Sequence, residues 1–266
     1  MSARPSIFIS GAAAGIGRAT ALRFLQEGWR VGAFDIDSAA LEQLAGDVPV
    51  NFYGNFMRGE LDVTDNDSWR AALTRFAETT EGGGINVVFN NAGVLCSGDF
   101  TATAIEDHER LLRVNVQGVL AGCYHALPHL EAAADSRVGA RVINMSSASA
   151  IYGQPALASY STSKFAVRGL TEALNIEWQS KGINALDVMP LFVQTRMVEG
   201  EATPTMRRLG VRLTPEDVAE TVVRMAYYRG NRVHWPVGGQ TKRMMLASKL
   251  VPSSLVRAIN RWLARA

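Results

Sequence analysis

The sequence predicts a doubly wound α/β fold, a parallel sheet of about seven strands with helices on both faces. Three observations carry that expectation. Short apolar runs alternate along the chain with longer amphipathic stretches. The short runs are apolar on successive residues, as strands covered on both faces must be. A glycine-rich turn separates the first run from the first amphipathic stretch.

Each element has its own justification. SIFIS (6–10) is the first apolar run, and a helical pattern near 15–28 follows its glycine turn. RVGAFD (30–35) leads into a helix near 38–45, with Asp37 and Ser38 as candidate caps. GELDV (59–63) precedes a helix at 65–79. INVVFN (85–90) overlaps the end of the surface loop EGGGIN (81–86) and precedes a long amphipathic stretch at 104–131. ARVINMS (140–146) precedes a helix at 157–180, and INALDVM (183–189) and RVHWPV (232–237) bracket another at 214–229. The last opens on Thr214-Pro215-Glu216-Asp217: a capping hydroxyl, a proline in the first turn, and acids at the positive end of the helix dipole. One domain over residues 1–266 is expected, its core ending near 238 and a basic amphipathic extension occupying 239–266.

Bulk properties narrow the function classes. A formal charge of +2 gives no argument for nucleic acid. Two cysteines, Cys96 and Cys123, make no disulfide framework, and a reducing cytoplasmic compartment is expected. The N-terminus MSARPSIFIS lacks the apolar stretch of a secretory signal, and nowhere does an apolar run reach the ~20 residues of a spanning helix.

The turn after the first strand, SGAAAGIGRAT, holds Gly11, Gly15, Ile16 and Gly17 at the N-terminus of a helix. Free N–H groups and a positive dipole end suit a pyrophosphate there, and glycine lets the backbone approach it. Asp35 closes the second strand, where a carboxylate can accept from an adenosine ribose and repel a 2′-phosphate; no basic residue stands beside it in FDIDSAAL. NAD is expected in preference to NADP. Further on, SYSTSKFAV places Tyr160 and one of only four lysines, Lys164, on one helical face. A free phenol titrates near ~10, and lowering that by ~3 units takes about 4 kcal/mol. One ammonium about 4 Å away at an effective dielectric near ~20 supplies about that much. Lys164 is therefore expected to make Tyr160 a usable base.

With these residues in view the chain resembles the short-chain dehydrogenase/reductase family from Ser6 to about Val237. LDVTD matches with Asp62 and Val63, where the family holds the adenine; NNAG matches with Asn91, Ala92 and Gly93 following Asn90. Asn115 in RVNVQG, Ser147 thirteen residues before Tyr160, and Pro190, Val193 and Thr195 in MPLFVQT are also in register. Leu191 departs from the family, which usually has glycine after that proline. The resemblance implies a Rossmann-like fold and an NAD(P)-dependent enzyme that moves a hydride between nicotinamide and a secondary alcohol or ketone. It implies Asn115, Ser147, Tyr160 and Lys164 as the catalytic set, Asn115 holding a water that links Lys164 to solvent. Ser147, Tyr152 and Tyr160 would contact the substrate, Phe192–Leu213 would form a mobile cover, and the long central helices would build a homodimer or homotetramer.

Other readings stay open. A dinucleotide-sensing regulatory protein could use the same fold, since fold alone does not assign function. A methyltransferase shares a glycine loop and a strand-two acid, but its chemistry has no use for the Tyr160/Lys164 pair. His125 and His129 have a metal-compatible spacing, but Pro128 is expected to interrupt the turn between them and no third ligand is evident, so no metal is expected. Cys96 is expected near the pocket mouth as a small apolar filler. Leu95, Phe100, Tyr152 and Leu157 are candidate walls, and with the cover they suggest a lipophilic small-molecule alcohol or carbonyl compound. The extension carries Lys242, Arg243, Lys249, Arg257, Arg261 and Arg265 without an acid. From Ser253 it has helical apolar spacing, as suits a helix packed over the pocket, one packed on another subunit, or one lying on an anionic membrane surface.

Overall fold

The computed structural model describes residues 4–198 and 203–264. Seven strands form one parallel sheet in the order β3-β2-β1-β4-β5-β6-β7. They are β1 Ser6–Ser10, β2 Arg30–Asp35, β3 Phe56–Glu60, β4 Val87–Asn90, β5 Ala140–Met145, β6 Ile183–Met189 and β7 His234–Pro236. The helices are α1 Gly15–Gln26, α2 Ser38–Asp47, α3 Asn66–Ala77, α4 Ile105–Leu112, α5 Gly118–Glu131, α6 Ala158–Glu177, α7 Pro204–Leu209, α8 Pro215–Ala226, α9 Gly238–Leu250 and α10 Ser253–Ala264. The expected Rossmann-like, doubly wound α/β fold is the one observed. Strand order reverses between β1 and β4, and that reversal opens a crevice at the carboxyl ends of the strands.

The apolar runs of the sequence serve two cores. Successive residues of β1 face opposite ways, so Ile7 and Ile9 join one buried cluster and Phe8 the other. The first cluster packs Phe24 and Leu25 of α1 against Val218 and Val222 of α8. The second gathers Phe34, Trp69, Phe76, Val119 and Val142, with Phe8 stacked on Phe34 at 4.5 Å between ring centres. Each such side chain contributes about 1.5–3 kcal/mol by leaving water. The caps follow the sequence: Asp37 accepts from Ala40 N at 2.9 Å, and Thr214 and Asp217 form a reciprocal capping box on α8.

Four features depart from expectation. β3 lies three residues earlier than 59–63, because its register is set by pairing Val31 with Phe56 and Asp35 with Glu60. Asp62 and Val63 therefore fall beyond the strand end, where they line the crevice. The stretch 104–131 is helical throughout but carries a π turn at Arg113–Gln117. Pro128 does not interrupt α5, which runs through it to Glu131. Finally, the extension forms two helices, α9 and α10, where periodicity suggested one. Arg265 lies outside the described residues.

Candidate active site

A cavity of about 660 Å³ occupies the crevice, within the size range of small-molecule sites. Its floor begins at the glycine turn. Gly11 and Gly15 have φ of +65° and +51°, a backbone that side-chain-bearing residues resist. A Cβ on Gly11 would lie 2.7 Å from Ala92 Cα, so this turn and the loop after β4 touch backbone to backbone. Asn91 Nδ2 ties them by donating to Ser10 O at 3.1 Å and Gly11 O at 2.8 Å. Gly15 and Ile16 line the cavity. Gly17 does not: a Cβ there would lie 2.0 Å from the Gly11 carbonyl oxygen, so its smallness serves packing of α1.

Asp35 reaches the cavity from the end of β2, its Oδ2 accepting from Ala13 N at 2.9 Å and its Oδ1 from Asp37 N at 3.0 Å. Asp62 and Val63 line the same end, Asp62 Oδ1 accepting from Thr64 N and Oγ1 at 2.8 and 2.7 Å. Ala92 and Gly93 line the middle with Asn91.

At the other end, β5 delivers Ser147 and the first two turns of α6 deliver Tyr160 and Lys164. Ser147 caps a short 3₁₀ turn, Ala148–Ala150, its Oγ accepting from Ser149 N at 3.1 Å and donating to Pro190 O at 3.4 Å, and it stands beside the Tyr160 phenol. Lys164 is only 3% exposed. Its Nζ donates to Met145 O at 2.8 Å and lies 5.5 Å from the Tyr160 ring centre. Burial pushes the Lys164 amine down to about 8. Burial also pushes the Tyr160 phenol above its ordinary value, and the neighbouring Ser147 hydroxyl opposes that rise only in part. Lys164 was expected to lower the phenol, and in this arrangement burial outweighs it. The ammonium is turned onto a backbone carbonyl, and the same dry surroundings penalise both charges.

Asn115 sits in the π turn, fully buried and outside the cavity lining. Its Oδ1 accepts from Val94 N at 2.8 Å, and its Nδ2 donates to Val94 O at 2.9 Å and Ser163 Oγ at 3.2 Å. The side chain is thereby committed to joining the loop after β4 to α6.

Pro190, Val193 and Thr195 line the cavity after β6. Leu191 is buried with Ala148, Leu157, Phe192 and Met206, so the departure from glycine adds apolar wall. The cover is pinned at its base by Gln194 N donating to Leu213 O at 2.9 Å, and its α7 brings Met206 to the cavity. Residues 199–202 of the cover lie outside the described residues.

Leu95 and Leu157 are walls as expected, but Tyr152 and Phe100 are not. Tyr152 follows the 3₁₀ turn half-buried and outside the lining. Phe100 is exposed and stacks on His108. The Phe100 carbonyl accepts from His108 Nε2 at 3.0 Å, so Nδ1 accepts from Ser159 Oγ at 2.7 Å. Cys96 is half-buried beside the cavity loop without lining it. His125 and His129 bond to Asn66 and the Gly83 carbonyl, and no cluster of three metal-ligating side chains forms among the described residues. Periodicity did not single out Arg110 and Arg113, which line the rim; their i, i+3 spacing, across the end of α4 into the π turn, was the available signal.

The cavity suits an extended dinucleotide on its own evidence. Ala14, the N-cap of α1, supplies no side-chain cap, which leaves the helix's first N–H groups to a ligand such as a phosphate. A Cβ on Gly15 would close to 3.0 Å of Thr195 Cγ2, narrowing the cradle.

Comparison with known proteins agrees. The family model described as short chain dehydrogenase matches residues 5–205. The chain is 33% identical over 195 residues to 2-(R)-hydroxypropyl-CoM dehydrogenase of Xanthobacter autotrophicus, covering 72% of this chain and 75% of that one. It is 31% identical over 231 residues to 3-beta-hydroxysteroid dehydrogenase of Comamonas testosteroni, covering 82% and 87%. In fold it matches the crystal structure of 3-ketoacyl-(acyl-carrier-protein) reductase from Brucella melitensis complexed with NADH. That match has a TM-score of 0.78 at 24% identity, over 89% of this chain and 98% of that one. A sheet reversed at this crevice, a Ser–Tyr–Lys cluster beside it and relatives of this kind lead to one assignment: the chain belongs to the short-chain dehydrogenase family of NAD(P)-dependent oxidoreductases acting on CH–OH groups.

Proposed function

We propose that this protein interconverts a lipophilic secondary alcohol and its ketone with NAD as the cofactor. The observation that carries the reading is that Ser147, Tyr160 and buried Lys164, the last two one helical turn apart, line one cavity together. NAD bound along the cavity supplies the hydride acceptor, or in its reduced form the donor. Gly11, Gly15, Ile16, Asp62, Val63, Asn91, Ala92, Gly93, Pro190, Val193 and Thr195 would hold it, Gly17 setting the approach of α1.

Tyr160 Oη takes the hydroxyl proton as the alcohol is oxidised and returns it to the carbonyl oxygen in reduction, as general base or acid. Ser147 Oγ donates to the substrate oxygen and stabilises its developing negative charge. Lys164 offsets the burial that raises the phenol, once its ammonium faces Tyr160 and not only Met145 O. Asn115 holds the Val94 loop against α6 and so fixes the distance between floor and catalytic helix; a water linked to Lys164 would use the backbone there, since the Asn115 amide is committed.

Asp35 supports NAD over NADP, because its carboxylate would repel a 2′-phosphate. Leu95, Leu157, Leu191, Phe192 and Met206 support a lipophilic substrate. Exposed Leu120 and Tyr124 of α5 and Phe165 and Ile176 of α6 support a homodimer or homotetramer through those helices. The unpaired Cys96 and Cys123 fit a reducing, cytoplasmic compartment. The test is cofactor reduction, followed by absorbance, across steroid, aliphatic, aromatic and polyol alcohols with NAD⁺ and then NADP⁺. Turnover of an apolar secondary alcohol with NAD⁺ is expected. Turnover confined to polyols, or preference for NADP⁺, would overturn the substrate or the cofactor assignment respectively.

A further inference from the structure

The C-terminal extension carries an amphipathic surface that the fold leaves uncovered. α9 is anchored by buried Thr241 and by Met244, which packs into the apolar cluster of Leu191 and Met206 beside the cavity. Gln240 Nε2 also donates to the Leu209 carbonyl at 3.1 Å. α10 rests on α7, where the Arg208 guanidinium stacks on Trp262 at 4.6 Å and donates to the Trp262 carbonyl. Away from these contacts the two helices stay open to water. No residue of α10 is buried: Leu255 and Ile259, one turn apart, are 52 and 47% exposed, and Trp262, with Arg208 on one ring face, is still 60% exposed. Leu246 and Leu250 of α9, also one turn apart, are 60 and 75% exposed. Lys242, Arg243, Lys249, Arg257 and Arg261 lie on the same two helices, and residues 238–264 contain no acid.

Large apolar side chains left in water in such number mark a surface that something else covers. Charge selects the occupant. A second copy docking this face about a two-fold axis would bring cations against cations, which costs association energy. An anionic bilayer supplies both missing halves, phosphates for the guanidinium and ammonium groups and an acyl boundary for the apolar residues. A tryptophan at the rim is the residue type that settles at that boundary. Among the described residues no helix is long and apolar enough to cross a membrane, so the contact is with one leaflet only.

We propose that α9 and α10 dock the protein on anionic phospholipid, with Leu246, Leu250, Leu255, Ile259 and Trp262 entering the headgroup boundary and the five cations meeting lipid phosphates. The docking helices pack on the cavity's surroundings, α9 through Met244 and α10 through α7, whose Met206 lines the cavity. The proposal does not depend on the assigned reaction, since its readout is lipid binding.

The test uses the full chain and vesicles of phosphatidylcholine, with or without a minority of phosphatidylglycerol. Trp29, Trp69, Trp178 and Trp235 are buried, so a blue shift of tryptophan emission on adding vesicles reports Trp262. Co-sedimentation and a blue shift are expected with the anionic vesicles at low salt, both weakened by high salt. Arg257→Gln with Arg261→Gln should lower partitioning roughly 30-fold. Leu255→Ser with Ile259→Ser should abolish the blue shift while leaving circular dichroism unchanged. No co-sedimentation at low salt, or binding indifferent to both double variants, would overturn the proposal. So would a concentration-dependent dimer, without vesicle binding, that Leu255→Asp dissociates; a second copy would then cover the face.

Discussion

The catalytic end of the cavity and the C-terminal extension reverse the usual distribution of residues in opposite senses. Around β5 and α6 the chain buries a lysine and a serine hydroxyl and half-buries a phenol. On α9 and α10 it leaves leucines, an isoleucine and a tryptophan in water. Folding favours neither arrangement, because a buried ammonium costs desolvation and an exposed leucine forfeits burial. A buried polar group and an exposed apolar patch are the two observations that carry information beyond packing. Here they carry the proposed chemistry inside and the proposed lipid contact outside. By contrast α1, with the same twelve-residue length as α10, buries Phe24 and Leu25 against the sheet and α8. Amphipathic pattern alone does not say which helix the fold will cover.

Four experiments can break or sharpen this contrast. The largest effect belongs to Tyr160→Phe, which removes the proton carrier yet keeps the ring: turnover should fall by about 10³-fold or more, with NAD affinity by titration nearly unchanged. Substantial residual turnover would move the acid–base role elsewhere.

Lys164→Met comes next and should act on activity and stability in opposite directions. Its amine titrates near 8 in the fold against an ordinary 10.5, so between those values the unfolded chain binds the extra proton and stability rises with pH. The burial cost is fully present below pH 8 and gone above 10.5. After allowing for the Met145 carbonyl left without its donor, the ligand-free variant should be more stable at neutral pH by on the order of 2 kcal/mol. In denaturant melts that advantage should shrink as pH climbs through the window, while turnover is lost at every pH. A variant less stable than the parent at neutral pH would mean the lysine was retained for packing.

Asp35→Ser should narrow the preference between the two cofactors by about tenfold, read as the ratio of kcat/KM values, by removing a negative charge from the ribose end. The smallest effect is expected in the extension. Leu255→Ser with Ile259→Ser should leave thermal stability within about 0.5 kcal/mol, whereas Phe24→Ala in α1 should cost about 3–5 kcal/mol. Equal losses from the two would show that α10 is covered by the fold after all.

Much of this was legible in residue order alone. The strands of the central sheet, the caps at Asp37 and Thr214, and the cavity positions of Gly15, Asp35, Ser147, Tyr160 and Lys164 rest on local rules that tertiary contacts reinforce. The rest turned on contacts between distant segments. β3 took its register from β2, which no property of GELDV encodes. Gly17 proved to answer to the Gly11 carbonyl and not to a ligand. Tyr152 lies only eight residues from Tyr160, but the turn between them carries it away from the pocket. The direction of the Tyr160 shift was set by burial, which the order of residues in one helical turn does not reveal.

The wide turn at Arg113–Gln117 has one more consequence. A π turn holds one residue more than the α-helical turn it replaces, so everything upstream is out of phase with α5 by about 100°. Excising a single residue there would restore an unbroken wheel and swing His108 off its seat on Ser159 of α6. Two sides of one rod are thus aimed at two different neighbours, a geometry that point substitution can weaken but only a change in chain length can rotate.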